Sequence, residues 1–517
     1  MLAPLPASDW NETTAAHLLL RTGFGATQQE IQECAAAGLD ASVDRLVDWE
    51  KTPDPTADPE WAKPDPTLAE QRRALRNLPE EERRMKFQEF QRQQREQLHE
   101  LKQWWLERMR NGPRPLQEKL TLFWHGHFAT SAEKVKIAYF MWRQNDIFRR
   151  LGNGPFRNLL LEVGRDPAML VWLDGAQSRK DAPNENYGRE LLELFTLGEG
   201  HYTEDDIKAA ARAFTGWTVN RFNQTASFQK FNHHDGRKTF LGASGNFNDE
   251  DIIDQILGQN QCARHLSNRL WSFFAYQNPP AALADSLGDS LYRLNYDLRP
   301  FLKAMFRSRE FYSARAIGTQ IKSPVQWLLA TAKSAEMARF PGRAAIGLLT
   351  QLGQNLLEPP SVKGWDGGRT WVSTTTLLLR QNAAKLFVYG GDPGGVMFNR
   401  EDMARRLEKL QELRKTEGKE GAPMEDDPMM ARMERMKNRN NKMPAMIDPR
   451  KLAPAGTPDD NAALIESLLR RFYPTGAPAA AGKAFADYLA QSPDKSLEEK
   501  TKGLAYLMMA RPEYQLT

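Results

Sequence analysis

The chain has 517 residues, 41% of them apolar, with 70 basic and 66 acidic side chains. That is enough apolar matter for a sizeable interior, over about two to three domains or one core with large insertions. A net charge of +4 gives no electrostatic case for nucleic acid or an anionic membrane as main partner, and two cysteines, Cys34 and Cys262, exclude a disulfide scaffold and a Cys-rich zinc site while leaving one bridge open.

Residues 1–10 (MLAPLPASDW) show no basic n-region, apolar h-region or twin arginine, so no export signal is visible and cytoplasmic is the default expectation. The longest apolar runs, Ile137–Trp142 and Ala168–Leu173, have six residues each, far short of the ~20 needed to span a bilayer. Ala15, Ala16, Leu18, Leu19 and Leu20 form a helical stripe ended by Gly23-Phe24-Gly25, and Thr27 with Glu30 has a capping-box pattern. Lys51–Pro66 reads as an irregular crossing. Leu68–Arg110 carries 11 basic and 8 acidic side chains in 43 residues. It predicts a charged helical hairpin projecting from the core, broken at Pro79.

Thr130 with Glu133 predicts a cap before a helix over Val135–Phe148, and Asp166-Pro167 a second helix start. Helices are expected over Asn184–Leu197 and Thr203–Trp217, the latter opened by Thr203 with Asp206. A long loop with room for a short hairpin follows over Phe228–Asn248. Helical periodicity resumes at Asp249–Leu257 and Ala263–Tyr276 and continues through Pro324–Ala338. Pro359–Gly368 is a stiff, glycine-rich loop, and Ala462–Tyr473 and Leu497–Ala510 close the chain as amphipathic helices. The expected fold class is all-α: a multi-helix domain over 8–395 with the charged insertion at 68–110, a flexible Met-rich basic insertion over 396–458, and a smaller helical part over 459–517 that packs back on the core. Phe123, Trp124, Leu191, Leu194, Phe195, Phe214 and Trp217 are expected in that core.

Several segments together resemble one family. They include Ala16–Gly25 (AHLLLRTGFG), Glu118–Phe128 (EKLTLFWHGHF) and Asn184–Gly198 (NENYGRELLELFTLG). Tyr202–Asp206, Ala213–Trp217, His234–Gly236, Lys238–Gly242, Pro360–Trp365 and Ala510–Gln515 match as well. In number and order they resemble the bacterial domain of unknown function 1800. The resemblance implies an all-helical fold and, as a partner encoded nearby, a sulfatase-like protein of the family of unknown function numbered 1501. It also implies that many relatives are exported. It brings no established activity.

Chemistry therefore rests on the residues. On a helix, Glu190 and Glu193 are i,i+3, close enough for one carboxylate to raise the pKa of the other, which suits acid–base work; Arg189 lies beside them. Asn184, Glu185 and Asn186 place three polar groups at a helix start, where they either cap it or bind a ligand. The alternative for this stretch is a solvated face of intrahelical ion pairs. The helix from Leu116 is expected to end near Gly126. An extended His125-Gly126-His127 would then point two imidazoles the same way, and together with His234 and a carboxylate would offer a divalent zinc, manganese or iron a nitrogen–oxygen set. Asp235 beside His234 is either a catalytic partner or the first residue of an Asp-Gly turn. Lys363 and Trp365, held between glycines, suit gripping a sugar or peptide, unless the indole packs back on the helices. The leading expectation is an enzyme or ligand-binding protein, in its boldest form a metal-assisted hydrolase or oxidase. The rival is a non-enzymatic partner or scaffold for the sulfatase-like neighbour. No Walker A, GxGxxG, GxSxG or HExxH pattern is present.

Overall fold

The computed structural model describes residues 2–76, 78–220, 224–392, 443–453 and 460–517. The chain is predominantly helical, as expected; its described strands form only two two-stranded hairpins, Trp217–Asn220 with Thr225–Phe228 and Lys238–Phe240 with Ala243–Gly245. No described helix is long and apolar enough to cross a membrane. The backbone divides into two compact units: Met1–Gln320 with Leu356–Gly367 and Thr517, and Ile321–Asn355 with Gly368–Leu516. Most of the Met-rich stretch at 396–458 lies outside the described residues.

The first unit is built around the Pro115–His127 helix. Eleven of its residues are buried, Glu118, Lys119, His125 and His127 among them. A helix buried on all sides must satisfy its polar groups inside the protein. Trp124 stacks on Phe128 and Phe156, with ring centroids 5.5 and 5.8 Å away, and Phe128 stacks on Phe148. Cys34 and Cys262 are both buried and unpaired.

Glu118 binds the surrounding helices together. Its carboxylate accepts from Arg108 Nε (2.9 Å), Arg149 Nε (2.8 Å), Arg149 Nη2 (3.0 Å) and Trp105 Nε1 (2.9 Å). Arg108 pairs in turn with Asp54. Burial pushes the Glu118 carboxyl up, but Arg149 and Arg108 outweigh it and hold the group below its ordinary value. Arg108 belongs to the Glu80–Asn111 helix and Arg149 to Ala138–Leu151, so one carboxylate fixes three helices.

The charged segment is two helices, Leu68–Arg76 and Glu80–Asn111, with Pro79 capping the second. Residues 80–89 are exposed throughout, whereas Leu101, Trp105, Leu106 and Met109 are buried. The segment is thus solvent-facing at its start and part of the core at its end.

The reciprocal caps at Thr27/Glu30 and Thr203/Asp206 and the Asp166-Pro167 start form as expected. Two helix expectations are corrected. Thr130 is not a cap: it is fully buried, donates to Phe128 O and accepts from Gln144 Nε2. Ser131 instead caps the short Ala132–Val135 helix, left-handed Lys136 (φ 60°) ends it, and Ala138–Leu151 begins anew. The helix expected to reach Trp217 stops at Ala213, because Gly216 (φ 99°) turns the chain into the first hairpin. Of the expected core residues, Leu194 and Trp217 are half-buried and the other five buried.

In the second unit, Thr374–Tyr389 packs against Leu497–Ala510. Buried Arg380 donates to Gln515 Oε1 (2.9 Å) and Lys322 O (3.0 Å), and Lys322 Nζ donates to Tyr514 O (2.7 Å). The closing residues are thereby tied to the Thr374–Tyr389 helix and to the strand-like turn that starts the unit.

Glu118→Ala leaves the buried Arg149 without a counter-charge and Arg108 with Asp54 alone, and is expected to cost about 3–5 kcal/mol, read as a fall in the urea midpoint. Because the folded carboxyl titrates below the ordinary glutamate value of 4.5, its stabilisation is complete above that value and is lost as pH falls through the folded one. The variant should therefore differ most from the parent at neutral pH. A loss below about 1 kcal/mol at neutral pH, the scale of an exposed pair, would contradict this assignment.

Candidate functional site

The Asn184–Gly198 stretch is not one regular helix. Glu185–Glu190 is α-helical, and Leu191–Thr196 is a π-helix. The last carbonyls of a helix have no intrahelical donors, and here side chains supply them. His265 Nε2–H donates to Leu194 O (3.0 Å), His127 Nε2–H to Phe195 O (3.1 Å) and Gln261 Nε2 to Leu197 O (2.8 Å). Thr196 Oγ1 donates to Leu191 O (2.5 Å), five residues back. The extra residue rotates the later positions, so Thr196, expected on the polar face, is fully buried.

The polar residues of this stretch fall into two groups. Asn184 is a cap, its Oδ1 accepting from Asn186 N (2.9 Å). Arg189 forms a two-pronged pair with Glu204 (2.8 and 2.9 Å) and lies 3.5 Å from Glu185. These are the local ion pairs and caps of the solvated-face alternative. Glu190 and Glu193 differ. Both are half-buried, and Glu193 accepts from Tyr202 Oη (3.3 Å). Burial and then Glu193 raise the Glu190 carboxyl, against the opposing pull of Lys363 and Arg189. Among the described residues Glu190 has no hydrogen-bond or ion-pair partner. Burial, followed by the Glu193 charge, pushes the Tyr202 phenol to about 12.

Lys363 reaches this region on the Leu356–Gly367 segment, which docks on the end of the Pro115–His127 helix. Gly364 (φ 82°) lies so close to Gly126 that a Cβ would land on the Gly126 carbonyl. Trp365 is half-buried against Gly126, its Nε1 shielded and unpartnered. Lys363 itself is exposed. A salt bridge from Lys102 Nζ to Glu358 (3.1 Å) anchors the start of the segment. Tyr202 and Glu193 thus share a hydrogen bond, the charges of Glu193 and Lys363 both act on Glu190, and Trp365 follows Lys363 in the same loop.

The imidazoles do not join it as a metal set. His125 and His127 both lie within the helix, not in an extended segment, so they diverge by about 200°. His125 Nε2 accepts from Asn145 Nδ2 (3.0 Å), with Asn145 held by Arg149 (2.6 Å). Burial and Arg149 bring its pKa down to about 3. Burial likewise holds His127 well below the ordinary histidine value, so both rings are neutral and hydrogen-bonded. His234 stands elsewhere: its backbone N donates to Thr215 Oγ1 (2.8 Å), and its charged neighbours are Lys238, Arg212 and His233. None of these acts on Glu190. Asp235 is exposed before Gly236, in the turn whose carbonyls Lys238 Nζ binds. Among the described residues no three His, Cys, Asp or Glu side chains gather to hold a metal ion. The donor set proposed from the sequence therefore does not fit one.

Two contributors were not picked out from sequence as site residues, Tyr202 and His265. Tyr202 follows the distinctive motif by four residues. His265 carries no local signal, since its role is to complete a turn about 70 residues earlier.

Gly364→Ala combines the left-handed strain of its φ with a backbone collision. It should undock the loop and open residues 359–368 to limited proteolysis. Gly200→Ala, with the same φ of 82° and nothing within 4 Å of the added Cβ, is the control and should leave proteolysis of that loop unchanged. Equal protection of the loop in both variants would refute the docking argument.

No curated protein and no solved structure matches the chain. Over residues 17–516 it matches a family described as a protein of unknown function, DUF1800. That span is nearly the whole chain and takes in the central helix, the π-helix and the Lys363 loop, and the chain accordingly belongs to the DUF1800 family.

Proposed function

We propose that the chain is a hydrolytic enzyme acting on a neutral, hydroxyl-rich substrate such as a glycoside, with its site at Glu190, Glu193, Tyr202, Lys363 and Trp365. The observation that carries this reading is the half-buried Glu190 carboxylate. It lacks a partner among the described residues and its proton affinity is raised by burial and by Glu193. A carboxyl of this kind can hold a proton for a leaving group. Glu193, steadied by the Tyr202 hydroxyl, serves as base or nucleophile, the division of labour that paired carboxylates use on glycosidic bonds. Trp365 offers an aromatic surface for a sugar ring. Asn184, Glu185 and Asn186 form the rim at the helix start, where Arg189 is engaged by Glu204 and Glu185. His127 and His265 position the helix and take no proton.

A second reading is favoured by a different observation: Arg189, Asn184, His125 and His127 are all engaged in local bonds. On that reading the chain is a non-enzymatic partner of the sulfatase-like protein encoded nearby, and the motifs are structural.

A series of methyl glycosides with the full chain, whose alkoxide leaving group needs a proton, separates the two by release of free sugar. The enzymatic reading expects turnover of at least one, lowered about 10²–10⁴-fold in Glu190→Gln. It also expects a signed pH effect. The acid must be protonated, so activity falls on the alkaline side as Glu190 ionises. Lys363 lowers the Glu190 pKa, so Lys363→Met should move that alkaline limb to higher pH. No turnover of any α- or β-linked glycoside, or a limb that moves down, would reject the enzymatic reading.

A further inference from the structure

Away from the Glu190 site, the hydrogen bonds of a second carboxyl do not balance. Asp166 is fully buried and caps the Pro167–Trp172 helix. Its described partners all meet one oxygen: Oδ2 accepts from Ala168 N (3.0 Å), Met169 N (3.2 Å) and Gln144 Nε2 (3.1 Å). Oδ1 is shielded from solvent and has no donor among the described residues. Gln144, also fully buried, repeats the pattern. Its Nε2 uses its two hydrogens on Asp166 Oδ2 and on Thr130 Oγ1 (3.1 Å), while its Oε1 is shielded and has no donor. Thr130 cannot help, because its one hydroxyl hydrogen goes to Phe128 O (3.1 Å).

Two buried acceptors on residues already in contact therefore both lack a donor, against the rule that buried polar groups are satisfied. An ionised Asp166 would in addition be a buried charge with no paired cation. Arg143, on the Ala138–Leu151 helix, acts on it from a distance and forms no ion pair with it among the described residues. Tyr139 of the same helix also faces it. Arg165 is taken by Asp249 and Glu250, and Lys134 by Asp174 and Trp172 O. Glu133 and Glu162, on the neighbouring helices, are exposed. A carboxyl so placed takes up a proton in preference to staying charged. Burial raises it to about 7, against the opposing pull of Arg143. The proton also repairs the bonding, since it turns Oδ1 from an acceptor into a donor, and Gln144 Oε1 is the acceptor left over on the residue that Asp166 already touches.

We infer that Asp166 is a pH-sensitive latch: as a neutral acid, with its proton on Oδ1 and Gln144 Oε1 accepting it, it ties the start of the Pro167–Trp172 helix to Gln144 and through Gln144 to Thr130, and on ionising it leaves that contact with two buried acceptors and no donor. The folded carboxyl titrates above the ordinary aspartate value of 3.8, so the folded chain binds this proton more tightly than the unfolded one. The stability it contributes is complete below that ordinary value, declines as pH rises towards the folded value, and is gone above it.

The test is thermal unfolding of the full chain from about pH 5 to about pH 9, parent against Asp166→Asn. The asparagine keeps an oxygen for Ala168 N and Met169 N and puts an N–H donor where the protonated Oδ1 stands, so it mimics the neutral acid at every pH. The expected result is that the parent loses about 3–5 °C in Tm relative to the variant between about pH 5 and pH 7 and runs parallel to it above. A difference between the two that stays constant over the whole range would overturn the inference, since the carboxyl would then keep one charge throughout, with buried water supplying the donors. Infrared spectroscopy of the parent removes dependence on the variant's folding. The C=O stretch of a protonated carboxyl should be present on the acid side of neutrality, vanish on the alkaline side, and persist in Glu190→Gln. Its absence from the parent, or its loss in Glu190→Gln, would also overturn the latch. Neither readout measures glycoside turnover, so failure here leaves the hydrolase reading untouched.

Discussion

The first unit depends on one buried carboxylate. Glu118 sits on a helix that is enclosed on every side and is the shared acceptor of Arg108, Arg149 and Trp105. Any one of those groups, buried alone, would be a liability. Together they set how three helices meet. The same bonds then reach outward. Arg149 holds the Asn145 amide oxygen, and the Asn145 amide nitrogen fixes His125. That makes His125 a terminus of the ion network rather than a free ligand. The composition of the Glu118–Phe128 segment follows from this position, because each residue faces a different layer: Glu118 the ion cluster, Phe123 and Trp124 the aromatic core, His127 the π-helix.

The π-helix is the second constraint, and it links the scaffold to the site. Leu194 and Phe195 lie in the last turn, where carbonyls have no donor from the helix itself. Both histidines are spent on these two carbonyls as neutral donors. The chemistry near Glu190 is thereby left to carboxylates, a phenol and a lysine. Gly188 serves the same end. A Cβ there would stand 3.0 Å from Ile207 O, so its absence lets the Glu185–Glu190 helix lie close on Glu204–Ala213, where Arg189 meets Glu204.

Legibility in the sequence tracked locality. The reciprocal caps at Thr27 and Thr203 and the Asp166-Pro167 start depend on residues within three positions of each other, and they were readable. Thr130 failed although its pattern was as good, because a partner 14 residues away, Gln144, draws it inward. The His125-Gly126-His127 spacing promised convergence only if the chain was extended there, and the helix instead continues to His127. The Glu190/Glu193 pair was readable as an i,i+3 proximity, and Lys363 as a loop lysine between glycines. Their approach to each other was not, since it rests on Gly364 fitting over Gly126 across more than 200 residues of sequence. The grouping of residues 321–355 and 368–389 with the closing helices, through bonds such as Arg380 to Gln515, likewise had no local sign.

The distribution of unmet charge in the first unit sharpens the reading of its function. Arg108, Arg149, Arg157, Arg165, Arg189, Arg299 and Arg307 each have an acidic partner, whereas buried Arg21 is held by carbonyls and Gln320. Against those pairs, half-buried Glu190 and buried Lys119 have no hydrogen-bond or ion-pair partner among the described residues. Each costs folding free energy that a glutamine or a methionine of similar shape would not. A protein that was only a scaffold would gain from those replacements. Groups that keep a charge at a cost in stability are better explained by what they hold or transfer, which is why Glu190, and not Arg189 with its pairs to Glu204 and Glu185, is the centre of the proposed site.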